Sequence, residues 1–285
     1  MLKHLIKQLI RSAFVCFATV AMTSAQTTLF VPSPQFGSIQ SAIAAASPGD
    51  TVEIASGAFF ENIDFLGKAI TVRGQGMGNT IIDGQSLGSV VSFINDEDEN
   101  SVLERVTVQN GLGQLLPNTI VPYTVGGGIR IFGTLAPAVA AMQSNGPTIR
   151  ECEITGNVAQ RGSAVFAYVW ASIRLDDCVI ENNHAPVGVF GESPIYSFSF
   201  SHVVMRRCDV TNNSPGAINM ADANFHNPEG GNLLEDCNFA NNTAGGSWGV
   251  AQYGGILTRI SRCRFVDNQS GLDSGVLFGN GSGQL

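Results

Sequence analysis

The sequence predicts an all-β solenoid, and three regularities in the second half of the chain carry that prediction. Five cysteines recur at intervals of 26, 30, 29 and 26 residues: Cys152, Cys178, Cys208, Cys237 and Cys263. An apolar residue stands three positions before each cysteine and another stands two positions after it. An asparagine stands five positions after each: Asn157, Asn183, Asn213, Asn242 and Asn268. A repeat of this length with such strict columns indicates one solenoid coil per repeat.

Each repeat has a second half, because a glycine follows the asparagine and precedes another apolar segment. We therefore expect at least two strands per coil, one through the cysteine and one after the glycine. The asparagines fit the turn between them, since asparagine tolerates left-handed backbone angles and can bond its neighbours in a stack. We interpret both columns as structural. The 33 glycines and the low charged fraction of 13% suit short strands joined by tight turns.

The cysteine column is expected to be a ladder of small buried side chains without disulfides. Each cysteine is flanked by core positions, and adjacent coils should lie about 4.8 Å apart. That spacing also falls within disulfide reach, so one or two bridges remain an alternative. A metal site is less favoured, because the sequence contains neither a CxxC motif nor a close Cys/His pair.

The first 25 residues have the pattern of a secretory signal. Lys3, Lys7 and Arg11 precede the apolar stretch 13–22, and small residues follow it at 23–25. About 10 apolar residues are too few to span a membrane core, which needs roughly 20. We therefore expect a signal peptide at 1–25, a single domain at 26–285, and a protein that is secreted, periplasmic or at the cell surface.

The charge of the mature chain limits its partners. The full chain has 15 basic residues, and removal of the signal takes away three of them. The mature chain then has 12 basic and 23 acidic residues, a net charge of −11. Nucleic acid needs a basic stripe, so it is not an expected partner. An acidic surface also disfavours unassisted binding of polyanionic sugars. We expect no transmembrane segment in the mature chain, and a polysaccharide or a surface protein as the partner.

The remaining elements follow from local patterns. A strand is predicted at Thr28–Val31, then a helix whose apolar side includes Phe36, Ile39 and Ile43, forming a cap at about 36–47. Further strands are predicted at Thr51–Ile54, Ile70–Arg73, Ile81–Asp83, Val90–Ile94 and Val102–Gln109. The strict coils occupy 148–278. Longer insertions at about 133–147, 191–201 and 220–231 are where function usually collects on a rigid solenoid.

The entry segment resembles that of a known superfamily. The stretches 36–43, 48–52 and 57–63 (FGSIQSAI, PGDTV and GAFFENI) look like the start of pectin-lyase-like proteins. This resemblance implies a right-handed parallel β-helix with a short N-terminal capping helix. The later coils are similar to the FxxN and GGA(I/L/V) repeats of polymorphic outer-membrane adhesins, as in FANN at 239–242 and FVDN at 265–268. This scaffold hosts many activities, so the likeness is specific for fold only.

An enzyme of that superfamily should carry its catalytic motifs. The stretch 57–61 is similar to the GxYxE of pectin methylesterases, but their QDTL, DFIFG and LGRPW segments are missing. Polygalacturonases carry NTD, DD, GHG and RIK motifs, and only the pair Asp176 and Asp177 matches. The residues of pectate lyases lie on different coils, so local motifs do not decide for or against a polysaccharide lyase.

Asp176 and Asp177 have a structural interpretation. The positions two before the cysteines are Arg150, Asp176, Arg206, Glu235 and Ser261, and those one before are Glu151, Asp177, Arg207, Asp236 and Arg262. Their signs largely alternate from coil to coil. Stacked on an outward bend, such columns form ion pairs of roughly 0.2–1 kcal/mol each. We therefore favour rung-to-rung pairing over catalysis.

Aromatic and acidic residues supply the candidate sites. Exposed rings suit the flat faces of sugars, and the candidates for a carbohydrate platform are Tyr168, Trp170, Tyr196, Trp248 and Tyr253. His226 lies in an insertion with acidic neighbours and completes the binding candidates. No cofactor is expected, although Asp96 and Asp98 in the acidic run 96–99 leave calcium as an alternative.

The leading hypothesis is therefore a secreted or cell-surface module that binds glycans or surface proteins without catalysis. A polysaccharide lyase or glycoside hydrolase is the first alternative. A structural spacer of a larger surface protein is the second.

Overall fold

The protein is a solenoid of parallel strands that stack into three sheets around one apolar core. The computed structural model describes residues 25–116, 123–133, 146–186, 193–199, 201–220, 231–243, 251–254, 258–269 and 277–280. From the second strand onward each described coil passes once through each sheet, and each strand pairs in parallel with its equivalent in the next coil. The predicted all-β solenoid is confirmed, and within the described coils it has three strands per coil.

Sheet 1 consists of β1 (Thr28–Val31), β2 (Thr51–Ile54), β5 (Thr71–Arg73), β8 (Val102–Glu104), β13 (Thr148–Arg150), β16 (Ser172–Asp176), β19 (His202–Arg206), β22 (Asn232–Glu235) and β25 (Thr258–Ser261). Sheet 2 consists of β3 (Gly57–Phe59), β6 (Thr80–Asp83), β9 (Thr107–Gln109), β14 (Glu153–Thr155), β17 (Val179–Glu181), β20 (Asp209–Thr211), β23 (Asn238–Ala240) and β26 (Arg264–Val266). Sheet 3 consists of β4 (Ile63–Asp64), β7 (Val91–Phe93), β12 (Ile129–Phe132), β15 (Val165–Tyr168), β18 (Ile195–Phe198), β21 (Ile218–Met220), β24 (Ala251–Gly254) and β27 (Leu277–Asn280). A separate antiparallel hairpin joins β10 (Gln114–Leu115) and β11 (Thr124–Val125).

The bend between sheets 1 and 2 is made by the residue before each cysteine. These residues are Glu151, Asp177, Arg207, Asp236 and Arg262, and their φ angles lie between 51° and 55°. This left-handed conformation turns the chain sharply and is uncommon outside glycine. The predicted strand through the cysteine is therefore wrong, because the cysteine lies in the bend between two strands. The same conformation at Arg105 (φ 59°) divides the predicted strand Val102–Gln109 into β8 and β9.

The cysteine side chains point into the core. Cys152, Cys178, Cys208 and Cys237 are at most 2% exposed, Cys263 is partly exposed, and all five are free thiols. The Cys152 thiol donates to the carbonyls of Arg150 at 3.2 Å and Leu103 at 3.6 Å, which satisfies its weak donor. Burial raises the pKa of Cys152 to about 12. This column therefore behaves as small apolar packing rather than as reactive thiol.

The asparagine column forms a continuous hydrogen-bonded ladder at the bend between sheets 2 and 3. The side-chain nitrogen Nδ2 of Asn183 donates to Asn213 Oδ1 at 3.1 Å, and Nδ2 of Asn213 donates to Asn242 Oδ1 at 3.1 Å. The left-handed residue here is the one before the ladder asparagine, as at Asn182 (φ 54°) and Asn212 (φ 55°). The ladder asparagines thus serve as buried polar links between coils, and their neighbours make the turn.

One short helix, α1 (Ile39–Ala45), closes the first coil. Ser38 caps its N-terminus, and the Glu61 carboxylate accepts from the amides of Ile39 at 2.9 Å and Gln40 at 3.0 Å. Ile39, Ala42 and Ile43 are buried against the end of the core. A helix in this place shields apolar side chains that the open end of a solenoid would expose.

Candidate functional site

The outer face of sheet 3 carries a group of aromatic side chains from three successive coils. Side chains alternate in a strand, so Val165 and Ala167 face the core while Phe166 and Tyr168 face outward. Parallel register places Phe166 between Arg130 and Tyr196, and Tyr168 between Phe132 and Phe198. We call Phe132, Phe166, Tyr168, Tyr196 and Phe198 the aromatic face.

The rings of the aromatic face are in mutual contact. Tyr168 and Phe198 are almost parallel, with an interplanar angle of 6° and centroids 5.9 Å apart. Phe166 and Tyr196 stack in the same way, at 15° and 5.8 Å. Phe132 instead meets Tyr168 edge-on at 70° and 6.0 Å. Parallel rings at such separations are offset rather than fully superposed, so part of each ring face is left uncovered by its neighbour.

The hairpin β10–β11 covers one half of this face. Leu116, Tyr123 and Val125 pack against Phe166 and Tyr196, which are 1% and 4% exposed. The remaining three rings are each partly exposed and form a column along the solenoid: Phe132, Tyr168 and Phe198. The accessible part of the aromatic face is therefore this column, which crosses three rungs.

Two arginines adjoin the aromatic face. The Arg161 guanidinium lies 4.1 Å from the Tyr123 ring centroid and 5.4 Å from that of Tyr196, which holds the hairpin against the sheet. The Arg130 guanidinium lies 5.7 Å from the Phe132 centroid, and its Nε donates to Ser92 Oγ at 3.0 Å. Burial lowers the pKa of Arg130, an effect that the charge of Asp64 opposes.

The binding residues predicted from the sequence lie in different parts of the structure. Tyr168 and Tyr196 lie together in the aromatic face. Trp170 lies in the bend after β15 (φ 57°), half-buried, and its amide donates to Ser199 O at 3.0 Å. The backbone register aligns Tyr253 with Met220, a core position of sheet 3, but its side chain is outside the described residues. His226 and Trp248 also lie outside the described residues.

The acidic run contains the two residues singled out as calcium candidates. Asp98 Oδ1 accepts from the Asn100 amide at 2.9 Å, which forms a turn, and Asp96 has φ 59°. Glu97 is 6% exposed, and its carboxylate accepts from the amides of Gly67 and Asn95, both at 2.8 Å. Within the part of the chain that the structure describes, no group of three or more His, Cys, Asp or Glu side chains could hold a metal ion.

Sheet 1 carries a second outward feature, a column of alternating charge. In parallel register it contains Glu53, Arg73, Glu104, Arg150, Asp176, Arg206 and Glu235. Arg206 lies 3.7 Å from Asp176 and 3.5 Å from Glu235, and Glu104 binds Arg73 on one side and Arg150 on the other. We call these seven residues the charge column. The sequence alone did not locate its first three members, because no cysteine marks their coils.

The pair Asp176 and Asp177 belongs to this ion-pair system. Asp176 lies 3.4 Å from Arg174, and Asp177 accepts two hydrogen bonds from Arg207, both at 2.7 Å. The hydrogen bonds from Arg207 hold the pKa of Asp177 below its ordinary value. A carboxyl that is to donate a proton needs a raised pKa, so this environment suits pairing and not general acid catalysis.

Burial shifts the pKa of two further groups, Glu97 and His202. Burial raises the pKa of Glu97, but both of its oxygens accept backbone hydrogen bonds, which gives it a structural role. On sheet 1, Ser172 Oγ lies 3.0 Å from His202 Nδ1, and burial lowers the pKa of His202. Ser172 is only 3% exposed, which leaves little room for a substrate at its hydroxyl. No local sequence pattern indicates this pair, because its members are 30 residues apart.

Comparison with known proteins agrees with the architecture. Residues 138–285 match the family model for the right-handed β-helix region, which is just over half of the chain. The chain belongs to the right-handed β-helix family. No curated protein matches it. No helix among the described residues is long and apolar enough to cross a membrane.

Two bacterial enzymes are among the solved structures similar to this right-handed β-helix. Pectin methylesterase PemA from Erwinia chrysanthemi is 12% identical, with a TM-score of 0.52, over 82% of this chain and 71% of that one. Pectin methylesterase from Yersinia enterocolitica is 13% identical, with a TM-score of 0.51, over 85% and 91%. At this identity the likeness shows the fold alone, and it confirms the predicted resemblance to pectin-lyase-like proteins.

Proposed function

We propose that this β-helix is an exported module that binds a glycan, without cleaving it, on the outer face of sheet 3. The observation that carries the proposal is the column Phe132, Tyr168 and Phe198, which stays partly exposed on a rigid sheet. Aromatic rings bury the apolar faces of sugars, and the Tyr168 hydroxyl can bond a sugar hydroxyl. Export is part of the proposal and rests on the signal-like residues 1–25.

The solenoid suits the binding of an extended chain. Successive rungs lie about 4.8 Å apart, so the three rings on successive rungs span roughly 10 Å along the axis. The strands that hold them are fixed by parallel pairing on both sides, which limits the ordering cost of binding. A linear oligosaccharide lying along the axis would contact all three rings, and its affinity should rise with length until the column is filled.

The test is a binding titration with oligosaccharides of increasing length. We expect Tyr168→Ala and Phe198→Ala each to weaken binding about 10-fold, because each removes one ring from the column. Phe30→Ala is the matched control: Phe30 is 60% exposed at the far edge of sheet 1, away from the aromatic face. Equal loss in Phe30→Ala, or no binding to any glycan by a folded protein, would contradict the proposal.

The alternative function is a polysaccharide lyase or hydrolase. Its support is the fold shared with the two pectin methylesterases, which are 12% and 13% identical to this chain. The described carboxylates on the outer face of sheet 1 are bound to arginines, which argues against acid or base catalysis there. Absorbance near 235 nm with calcium and uronate polysaccharides would detect lyase products, and a reducing-end assay would detect hydrolysis. Turnover in either assay would contradict the proposal of a non-catalytic module and would favour an enzyme.

A further inference from the structure

We propose that Arg130 is an anion-binding subsite at the end of the aromatic face. The glycan would then carry an oxyanion, as a carboxylate or a sulfate ester, on the sugar next to the one that packs on Phe132. This inference rests on the proposed function and names the chemical class of its ligand. The subsite would be a single positive charge, that of Arg130, on a chain whose net charge is negative.

Arg130 differs from most of the arginines on sheet 1, because none of the described carboxylates is paired with it. On the outer face of sheet 1, four arginines each lie within 4.0 Å of a carboxylate: Arg73, Arg150, Arg174 and Arg206. No described carboxylate lies within that distance of Arg130. Asp64, in the same outward column two rungs away, acts on it only at longer range.

The bonding of Arg130 orients its guanidinium and leaves donors for a ligand. Its Nε is held by Ser92 Oγ at 3.0 Å, and its plane lies near the Phe132 ring. The two terminal nitrogens make no hydrogen bond to any residue that the structure describes. A guanidinium fixed at Nε presents these nitrogens as a fork, which matches the two oxygens of a carboxylate.

The energetics favour an incoming anion. Arg130 is half-buried, so it has lost part of its hydration without gaining an ion pair to any carboxylate in the described part of the chain. Its lowered pKa is consistent with that loss. An oxyanion bound by the terminal nitrogens would restore the lost interaction, while the adjoining sugar ring packs on Phe132. Specificity would then come from one charge at one subsite, and a uniformly basic surface would not be needed.

The experiment compares three ligands of equal length by calorimetry. The probes are a neutral β-linked glucose oligosaccharide, a hexuronate oligosaccharide and a sulfate-ester oligosaccharide. The proteins are the wild type, Arg130→Gln, Arg130→Lys and Arg264→Gln. Arg264 is exposed on sheet 2, so its variant removes the same charge away from the aromatic face.

We expect the wild type to bind at least one anionic probe about 10- to 100-fold more tightly than the neutral one, and Arg130→Gln to abolish that preference. Arg130→Lys should restore part of it, because the charge remains and the fork is lost. Arg264→Gln should behave as wild type. The relative affinities of the two anionic probes identify the oxyanion as carboxylate or sulfate.

Three results would overturn the subsite, and they separate it from the proposed function. Tight neutral binding that depends on Tyr168 but not on Arg130 would leave glycan binding intact and remove the anion subsite. An anionic preference equally lost in Arg264→Gln would show a general charge effect. Absence of binding to all three probes by a folded wild type would refute both proposals together.

Discussion

Asn157 and Asn183 are joined side chain to side chain across two adjacent coils. Asn157 Nδ2 donates to Asn183 Oδ1 at 3.0 Å, and the Asn157 backbone amide donates to the same oxygen at 3.1 Å. Asn183 in turn donates to the carbonyls of Ile154 at 2.8 Å and Glu181 at 2.9 Å. Both side chains are at most 1% exposed. One buried amide thus satisfies polar groups from two coils at once.

We expect Asn183→Ala to lower the free energy of unfolding by about 2–4 kcal/mol. The substitution leaves the side chain of Asn157 and the carbonyl of Ile154 buried without these partners, and each such group costs about 1–3 kcal/mol. Urea unfolding followed by circular dichroism measures the change. Asn79→Ala is the control, because Asn79 is exposed and its side chain makes no described hydrogen bond, and it should change stability by less than about 0.5 kcal/mol.

Glu104 should contribute more to the stability of the fold than Asp177, whose ion pair with Arg207 is more exposed. The Glu104 side chain is 5% exposed between Arg73 and Arg150, whereas Asp177 and Arg207 are 45% and 52% exposed. Removal of this buried charge leaves Arg150 without its described partner and leaves Arg73 only the contact with Glu53 at 3.8 Å, so Glu104→Gln should destabilise the fold by about 1–3 kcal/mol near neutral pH. Asp177→Asn should have a smaller effect. Equal losses of stability in the two variants would contradict the prediction that the buried carboxylate contributes more.

The contribution of Glu104 should depend on pH. Burial alone would raise its pKa, but the hydrogen bonds from Arg73 and Arg150 outweigh burial and hold the pKa below the ordinary value of 4.5. The stabilisation is therefore complete above about pH 4.5 and is lost as the pH falls through the lower pKa of the folded protein. Unfolding curves of wild type and Glu104→Gln should converge below that pH. A constant difference at all pH values would exclude this linkage.

Lys68 should stabilise the capping helix through its ammonium group. Its Nζ donates to three carbonyls at the end of α1: Ile43 at 2.9 Å, Ala44 at 2.7 Å and Ala46 at 2.8 Å. Lys68→Met keeps much of the apolar stem but leaves these carbonyls without the cation, and we expect a loss of about 1–2 kcal/mol. Hydrogen exchange should show faster exchange of the α1 amides. Unchanged protection of those amides would mean that the contact adds no stability.

The thiols should differ in reactivity along the column. Cys152, Cys178, Cys208 and Cys237 are at most 2% exposed, while Cys263 is partly exposed. Burial raises the pKa of Cys152 and of Cys263, so thiolate is scarce in both, and exposure should decide the order of reaction. We expect iodoacetamide to modify Cys263 first in the native protein and all five thiols in urea. Mass spectrometry of the peptides identifies the modified sites, and early modification of Cys178 would contradict this order.

Only part of the aromatic face could be predicted from the sequence. Tyr168 and Tyr196 were predicted as carbohydrate contacts, but Phe132, Phe166 and Phe198 were missed. In sequence terms these phenylalanines look like core residues, because an apolar side chain in a short strand can face either way. Their outward direction follows only from the register of β12, β15 and β18, which places them in two outward columns.

The repeat period, the inward columns and the structural role of the asparagine ladder could all be predicted from the amino-acid sequence. This is possible because core positions in a solenoid repeat at a fixed register, so Cys178 and Asn183 recur with the coil. The sequence also predicted the alternating charges from Arg150 to Glu235, which precede the cysteines.

The position of the bends in each coil and the contacts between side chains outside the core depend on how the coils stack in three dimensions. Left-handed angles at residues such as Glu151 and Arg207, which are not glycines, divide each coil into three strands and could not be read from composition. Insertions of unequal length then separate residues that stack in space, so that Arg130 and Phe166 are adjacent although 36 positions apart. The candidate site lies on these outward columns, since backbone pairing sets their alignment while local sequence leaves it open.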